Sequence, residues 1–244
     1  MDTWRLITTW GARPEFNMGL DEALLESADS PPTVRFYSWR PHTLSLGYFQ
    51  RFAEVPAAGA ERAPLVVRRI TGGGAIHHVR ELTFSLVAPR EHRLYRGPVA
   101  DSYVRIHAAV QSALEELGVP ARPRGASDLV SDRMDTGMCF HHSTVLDLAW
   151  GCRKGVGSAQ RRKNGRVLHH GSIKLGTSAL EGEIATADAH SAGVTCESFA
   201  PVLRGAFERV LDIELVADVP SVSERELAKE LGTRYVDPLF VRRR

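Results

Sequence analysis

The sequence predicts an α+β fold, a mixed and mostly antiparallel sheet flanked by helices. Three observations carry that expectation. Leu82–Ala88 alternates Leu82, Phe84 and Leu86 with Thr83 and Ser85, the period of a half-buried strand. Asn164-Gly165 separates two strand-like stretches by the two residues that favour a tight hairpin. Strands gather through such short connections while amphipathic helices lie beside them, which argues against a purely parallel arrangement.

Taken in order, Trp4–Thr9 reads as a first strand and Glu15–Ala28 as a helix burying Phe16, Leu20, Ala23 and Leu24, stopped by Pro31-Pro32. Thr33–Trp39 and Thr43–Gly47 are rich in residues that strands prefer, around the turn Arg40-Pro41-His42. Leu65–Ile70 is a further strand, running into Gly72-Gly73-Gly74. The longest helix spans Pro98–Leu117, with Tyr103, Ile106, Val110, Leu114 and Leu117 as its buried stripe and Gly118 as its stop. Arg122–Arg133 is polar and reads as loop; Thr144–Trp150, Lys154–Arg161 and Arg166–Leu175 read as strands. Glu197–Leu211 is helical, and a last helix opens with the capping box Ser221-Val222-Ser223-Glu224 and closes near Gly232. The whole chain, 1–244, is expected to be one domain, with 196–244 a helical segment packed on it.

Composition excludes some functions. A net charge of +2 from 31 basic and 29 acidic residues leaves no basic stripe of the kind that nucleic acid or a membrane surface requires. Val241-Arg242-Arg243-Arg244 is the one dense basic run near an end, and it reads as a solvated tail. No window is apolar enough to span a bilayer. Cys139, Cys152 and Cys196 form no disulfide framework, which fits a reducing compartment, and the chain is expected to be cytoplasmic. A metal site of Cys139, His141, His142 and Cys152 lacks a familiar ligand spacing, so none is expected.

The residues suited to chemistry cluster in two stretches. In the first, Arg68-Arg69 precede the triple glycine and His77-His78 follow it. Bare glycines let backbone N–H groups approach a ligand oxygen. No Gly-Lys-Ser/Thr follows, so this is not a phosphate-binding P-loop. On strands, each Arg or His pair must split between two faces, so one member of each can face a ligand. In the second stretch, Cys139 precedes Lys154 by fifteen positions. A thiol needs a nearby cation to act as a thiolate. A free cysteine is otherwise a small core residue, and a strand lysine a solvated charge. Gly155, Gly157 and Ala159 remove bulk around Lys154, leaving a space that Val156, Leu168 and Ile173 are expected to line.

Several stretches together resemble the lipoate–protein ligase and octanoyltransferase family, whose catalytic fold is shared with biotin–protein ligases. They are Asn17–Leu25, Arg35–Trp39 with Ser45–Gln50, Arg68–His78, and Lys154–Gln160 with His170–Ile173. The resemblance implies an acyl pocket formed by Arg69, Thr71, Gly72, Gly73, Gly74, His78, Gly157, Ser158, Ala159, His170 and Gly171. Cys139-Phe140 stands where ATP-dependent ligases typically carry an Asn-Asp-type motif, a pattern similar to the cysteine-dependent, LipM-type octanoyltransferases. The implied reaction is ping-pong. The Cys139 thiolate, stabilised by Lys154, takes octanoyl from octanoyl–acyl carrier protein as a thioester. A lysine of a lipoyl domain, of a 2-oxoacid dehydrogenase or the glycine cleavage H protein, then takes it as an amide, with Lys154 as general base. The resemblance implies backbone N–H groups at Gly72–Gly74 or Cys139 as oxyanion donors, no metal or nucleotide, and a monomer. Two enzyme readings stay open beside it: an ATP- and Mg-dependent lipoate ligase, and an amidotransferase between proteins. A non-catalytic acyl-binding protein is the third. His141-His142 after the cysteine departs from the family pattern, and Asp147 stands in place of an expected glutamate.

Overall fold

The computed structural model describes residues 1–60 and 64–243. In chain order the elements are β1 (Asp2–Ala12), α1 (Pro14–Glu26), β2 (Thr33–Trp39), β3 (Thr43–Leu46), α2 (Pro56–Gly59), β4 (Leu65–Arg68), β5 (Ile76–His78) and β6 (Glu81–Pro89). Then come α3 (Val99–Glu116), β7 (Arg122–Pro123), β8 (Leu148–Trp150), β9 (Arg153–Lys163), β10 (Arg166–Lys174), α4 (Cys196–Leu211), β11 (Ile213–Asp218), α5 (Val222–Gly232) and α6 (Pro238–Val241).

Eight strands form the main sheet in the order β11-β1-β2-β6-β10-β9-β8-β7, and β4-β3-β5 form a small second sheet. In the main sheet β1 runs parallel to β11 and β2, and every other pairing is antiparallel. The predicted α+β class and mixed, mostly antiparallel sheet hold. The β9–β10 hairpin turns on Asn164 (φ 50°) and Gly165 (φ 72°), both left-handed, as a tight hairpin whose twist matches its strands requires.

The alternation in β6 becomes two cores. Leu82, Phe84 and Leu86 meet Ile106, Val110 and Leu114 of α3 and Phe199, Leu203 and Phe207 of α4. On the other face Val87 and Leu168 join Leu20, Leu24 and Leu25 of α1 and Ala228 of α5. Because the two faces are both covered, β6 and β10 are buried almost throughout, and polar side chains on them must find partners inside the protein.

Four expectations are corrected. Thr144–Asp147 is a turn, because the Asp147 carboxylate accepts from the Thr144 backbone N–H at 2.7 Å and β8 starts only at Leu148. Residues 122–133 are not all loop, since Arg122–Pro123 pairs with β8. The segment from Cys196 is not purely helical, since Ile213 and Leu215 of β11 enter the main core beside β1. The basic end is not a frayed tail as far as Arg243, whose guanidinium lies 3.9 Å from the Tyr48 ring and 4.4 Å from that of Phe240; Arg244 lies outside the described residues.

The capping box at α5 forms as the sequence predicts. Ser221 Oγ accepts from the Glu224 N–H at 3.1 Å, and Glu224 Oε2 accepts from the Ser221 N–H at 2.7 Å. The same carboxylate pairs with Arg5 of β1, tying α5 to the sheet. Ser221→Ala is expected to cost about 1 kcal/mol, read from the urea midpoint at unchanged slope.

Candidate active site

Cys139 opens a single 3-10 turn, Cys139–His141, at the end of the long 124–138 connection. Its backbone N–H donates to Ala75 O at 2.7 Å, and Ala75 N–H donates back to Gly137 O at 2.8 Å. This clasp explains the third glycine: a side chain on Gly74 would lie 2.7 Å from Cys139 N and 2.8 Å from its Cα. Arg69 shapes the loop from beneath, donating to Gly72 O and Gly74 O at 2.7 Å each and to Ser45 O at 3.0 Å. Burial brings its guanidinium down to about 10, still charged at neutral pH. Among the described residues no acceptor takes the N–H groups of Gly72, Gly73 or Gly74, whereas that of Cys139 is committed to Ala75. The expectation that Cys139 N–H could meet an oxyanion is therefore withdrawn in favour of the glycines.

Lys154 reaches the thiol from β9. Its Nζ is 3.5 Å from Cys139 Sγ, 3.1 Å from His142 O and 2.9 Å from Asp147 Oδ2, three acceptors for the three protons of an ammonium. Gly157 makes room for this contact, since a side chain there would meet Lys154 Cε at 2.9 Å, Nζ at 3.1 Å and Cys139 Sγ at 3.5 Å. Burial works against the charge of Lys154, but Cys139 and Asp147 outweigh it and hold its pKa above the usual lysine value. The resting lysine is thus a cation.

A cavity runs from Cys139 into the space between the two sheets. Of the residues expected at the acyl pocket, Arg69, Gly72, Gly73, His78, Gly157, Ser158, Ala159, His170 and Gly171 line this cavity. Thr71 and Gly74 do not. Thr71 Oγ1 is hydrogen-bonded to His170 Nε2 at 2.6 Å and braces the wall, while Gly74 and Lys154 face the open cleft outside the thiol. Of the paired residues, Arg69 and His78 line the cavity; Arg68 instead holds Gly47 O, Gln50 O and Val241 O, and His77 binds Ser178. Val156 and Ile173 do not line the space but lie in the α3/α4 core, since period two sends them to the opposite face from Gly157 and Ser172; Leu168 lies in the α1 core.

Sequence reasoning missed Met18, Tyr37, Trp39, Ser45, Ile76, Thr83 and Ser172 among the lining residues. It also missed a buried charge cluster behind the cavity: Lys174 Nζ lies 2.7 Å from Glu81 Oε2 and 2.8 Å from Glu181 Oε2, the latter an ion pair without a well-aligned hydrogen bond. The Lys174 ammonium sits 4.7 Å from the ring of Phe140, next to the thiol, and Lys154 lies 5.6 Å from the same ring. His141 is a structural pin, its Nε2 on Glu181 O at 2.6 Å, while His142 is exposed at the cleft. Asp147 lies just ahead of β8 and neutralises Lys154.

Comparison with known proteins settles the family. The lipoyl protein ligase A/B catalytic domain matches residues 13–193. The chain belongs to that family. It is 42% identical over 179 residues to the octanoyltransferase LipM of Moorella thermoacetica, an alignment covering 71% of this chain and 66% of that protein. The chain thus spans just under two thirds of that relative's length. LipM of Kyrpidia tusciae is 32% identical over 266 residues, with 97% of each chain covered. In fold the chain is similar to the bi-partite lipoate protein ligase of Thermoplasma acidophilum, at TM-score 0.78 and 21% identity, with 99% of this chain and 96% of that one covered. Among the described residues no helix is long and apolar enough to cross a membrane.

Proposed function

We propose that the protein is an octanoyl-[acyl carrier protein]:protein N-octanoyltransferase working through a Cys139 thioester, without metal or nucleotide. The observation that carries this reading is the Cys139–Lys154 pair, 3.5 Å apart, at the mouth of a cavity that Gly157 keeps open. The family membership and the names of the LipM relatives support it.

The charges at the site suggest how one lysine serves both half-reactions. The reacting form of the pair is thiolate and ammonium. The thiolate attacks the donor thioester, and the N–H groups of Gly72–Gly74 meet the developing oxyanion. The carrier sulfur leaves with the proton of Lys154, so the acyl-enzyme holds a neutral amine beside a neutral thioester. That loss is favoured because acylation removes the Cys139 charge, one of the groups that kept Lys154 protonated. The acceptor lysine of a lipoyl domain then attacks as an amine. Lys154 takes its proton, and Cys139 leaves as the thiolate that began the cycle. Bonds and protons balance: one thioester and one amine become one thiol and one amide.

Intact-mass spectrometry after mixing the protein with octanoyl–acyl carrier protein, without ATP, tests this. The expected result is one octanoyl adduct, labile to hydroxylamine and absent in Cys139→Ala. A folded protein with no adduct, which transfers free lipoate once Mg-ATP is added, would make it a ligase. Loading only from an octanoylated lipoyl domain would make it an amidotransferase.

A further inference from the structure

Two hollows meet at Cys139. Gly73, Cys139 and Ser158 line both the acyl cavity and the open cleft outside it. These three mark the throat, where an acyl group on the sulfur must carry its carbonyl. The sulfur is the nucleophile there, and Gly73 brings an N–H to the oxyanion. The third, Ser158, is half-buried on β9 next to Gly157.

The proton of the Ser158 hydroxyl is already committed. Its Oγ lies 2.7 Å from Nε2 of His107 on α3, and His107 Nδ1 lies 2.5 Å from Leu146 O. A carbonyl oxygen only accepts, so Nδ1 carries the ring proton. His107 is 3% exposed, and burial holds its pKa below the usual imidazole value. The ring is therefore neutral, and its Nε2 is a lone pair to which the Ser158 O–H must donate. What Ser158 keeps for the throat is the acceptor capacity of Oγ. One turn fixes both this histidine and Lys154: Leu146 supplies the carbonyl, and Asp147 the carboxylate 2.9 Å from Lys154 Nζ.

A group that accepts and cannot donate discriminates between the two half-reactions. When the thiolate attacks a thioester, the attacking atom bears no hydrogen and the oxygen gains negative charge, so a lone pair has nothing to receive. When an amine attacks the acyl-enzyme, the attacking atom brings two N–H groups. We propose that Ser158 Oγ receives one N–H of the incoming amine and so aims the nitrogen lone pair at the acyl carbon, with His107 as the positioning residue that keeps the serine an acceptor. As the nitrogen bonds to the carbon it gains positive charge, so this hydrogen bond strengthens on the way to the transition state. One proton of the nitrogen then passes to Lys154, the carbon–sulfur bond breaks to return the Cys139 thiolate, and the other proton stays on the amide. Ser158 gives up no proton. This inference rests on the acyl-enzyme reading above and concerns its second step.

The test follows single turnovers of wild type, Ser158→Ala, Ser158→Thr and His107→Phe by intact mass. Each protein is loaded from octanoyl–acyl carrier protein, and the isolated octanoyl-enzyme is discharged either to a lipoyl domain or back to the carrier thiol. The readout is the maximal rate of discharge to the amine divided by that to the thiol. In Ser158→Ala this ratio is expected to fall about 10- to 100-fold, the worth of one hydrogen bond to a charged group. The half-saturating concentration of lipoyl domain should change little. Ser158→Thr, which keeps the hydroxyl, should restore the ratio. His107→Phe, which lets the hydroxyl turn, should lower it by less than Ser158→Ala does, and the serine variants carry the test if the phenylalanine variant does not fold. An unmoved ratio in Ser158→Ala would overturn the role of Ser158 and leave the acyl-enzyme standing. An octanoyl adduct mapped to Ser158 itself would do the same, by making the serine a nucleophile. No adduct on wild type would overturn the acyl-enzyme reading, and this inference with it.

Discussion

Lys154→Met is expected to slow octanoyl loading of Cys139 by about 10²- to 10⁴-fold, the range spanned by loss of a positioned proton-transfer group. The ammonium lies 3.5 Å from the sulfur and carries the proton that the leaving carrier thiol takes in the scheme above. Its removal therefore acts on both nucleophile and leaving group. It also leaves the Asp147 carboxylate, which is 5% exposed, without its cation. A loss of stability is expected for that reason alone, on the order of 3 kcal/mol. The double variant Lys154→Met, Asp147→Asn removes the orphaned charge and should recover much of the stability while recovering none of the loading. The loading rate of wild type should be flatter with pH than that of the variant. The Lys154 pKa is raised, so its charge persists through the alkaline range and keeps supporting the thiolate there. Loading rates between pH 6 and 9, with thermal melts of the three proteins, check this. Wild-type loading in Lys154→Met would remove the lysine from the mechanism.

Much of this site was legible because its parts are local. Cys139 and Lys154 are fifteen residues apart, on a turn and on the strand that follows β8, and Gly157, three residues further on, leaves room for their contact. The α5 capping box and the Asn164-Gly165 turn were likewise fixed within four residues. What escaped notice depends on pairings between distant segments. Trp39 meets Thr83 across 44 positions, and Lys174 meets Glu81 across 93. Each looks like an ordinary strand residue until β2, β6 and β10 are put side by side. β11 was missed because it buries only Ile213 and Leu215 and carries Glu214 and Asp218 between and after them. Asp147 was misplaced on a strand because nothing in its neighbours announces that its carboxylate will capture Thr144.

Lys174→Met is expected to be among the most destabilising single substitutions, by about 3–5 kcal/mol at pH 8, because it leaves Glu81 and Glu181 buried together without a cation. Lys174 and Glu181 are fully buried, and Glu81 is 3% exposed. The loss should depend on pH in a way that a simple cavity would not reproduce. In wild type, burial pushes Glu81 up, but Lys174 and His78 outweigh it and hold its pKa well below the ordinary glutamate value. A carboxylate lowered in the folded state contributes stability that is present above its unfolded pKa and is lost as pH falls toward the folded one. Burial likewise lowers His78, so its contribution is present above about 6.5 and is lost on acidification. Wild type should therefore weaken from pH 8 to pH 5 through His78; the Glu81 contribution is lost only below about 4.5, and Glu181, which burial raises, works the other way. In Lys174→Met the two carboxylates repel and both rise, so the folded protein binds a proton more readily than the unfolded chain. That group gains stability as pH falls. The gap between the two proteins should accordingly narrow at pH 5 relative to pH 8 in urea melts, whereas a constant gap would mean that the lysine acts through packing rather than charge. Because its ammonium rests on the Phe140 ring beside Cys139, the same substitution should slow octanoyl loading more at pH 8 than at pH 5, in step with the stability gap.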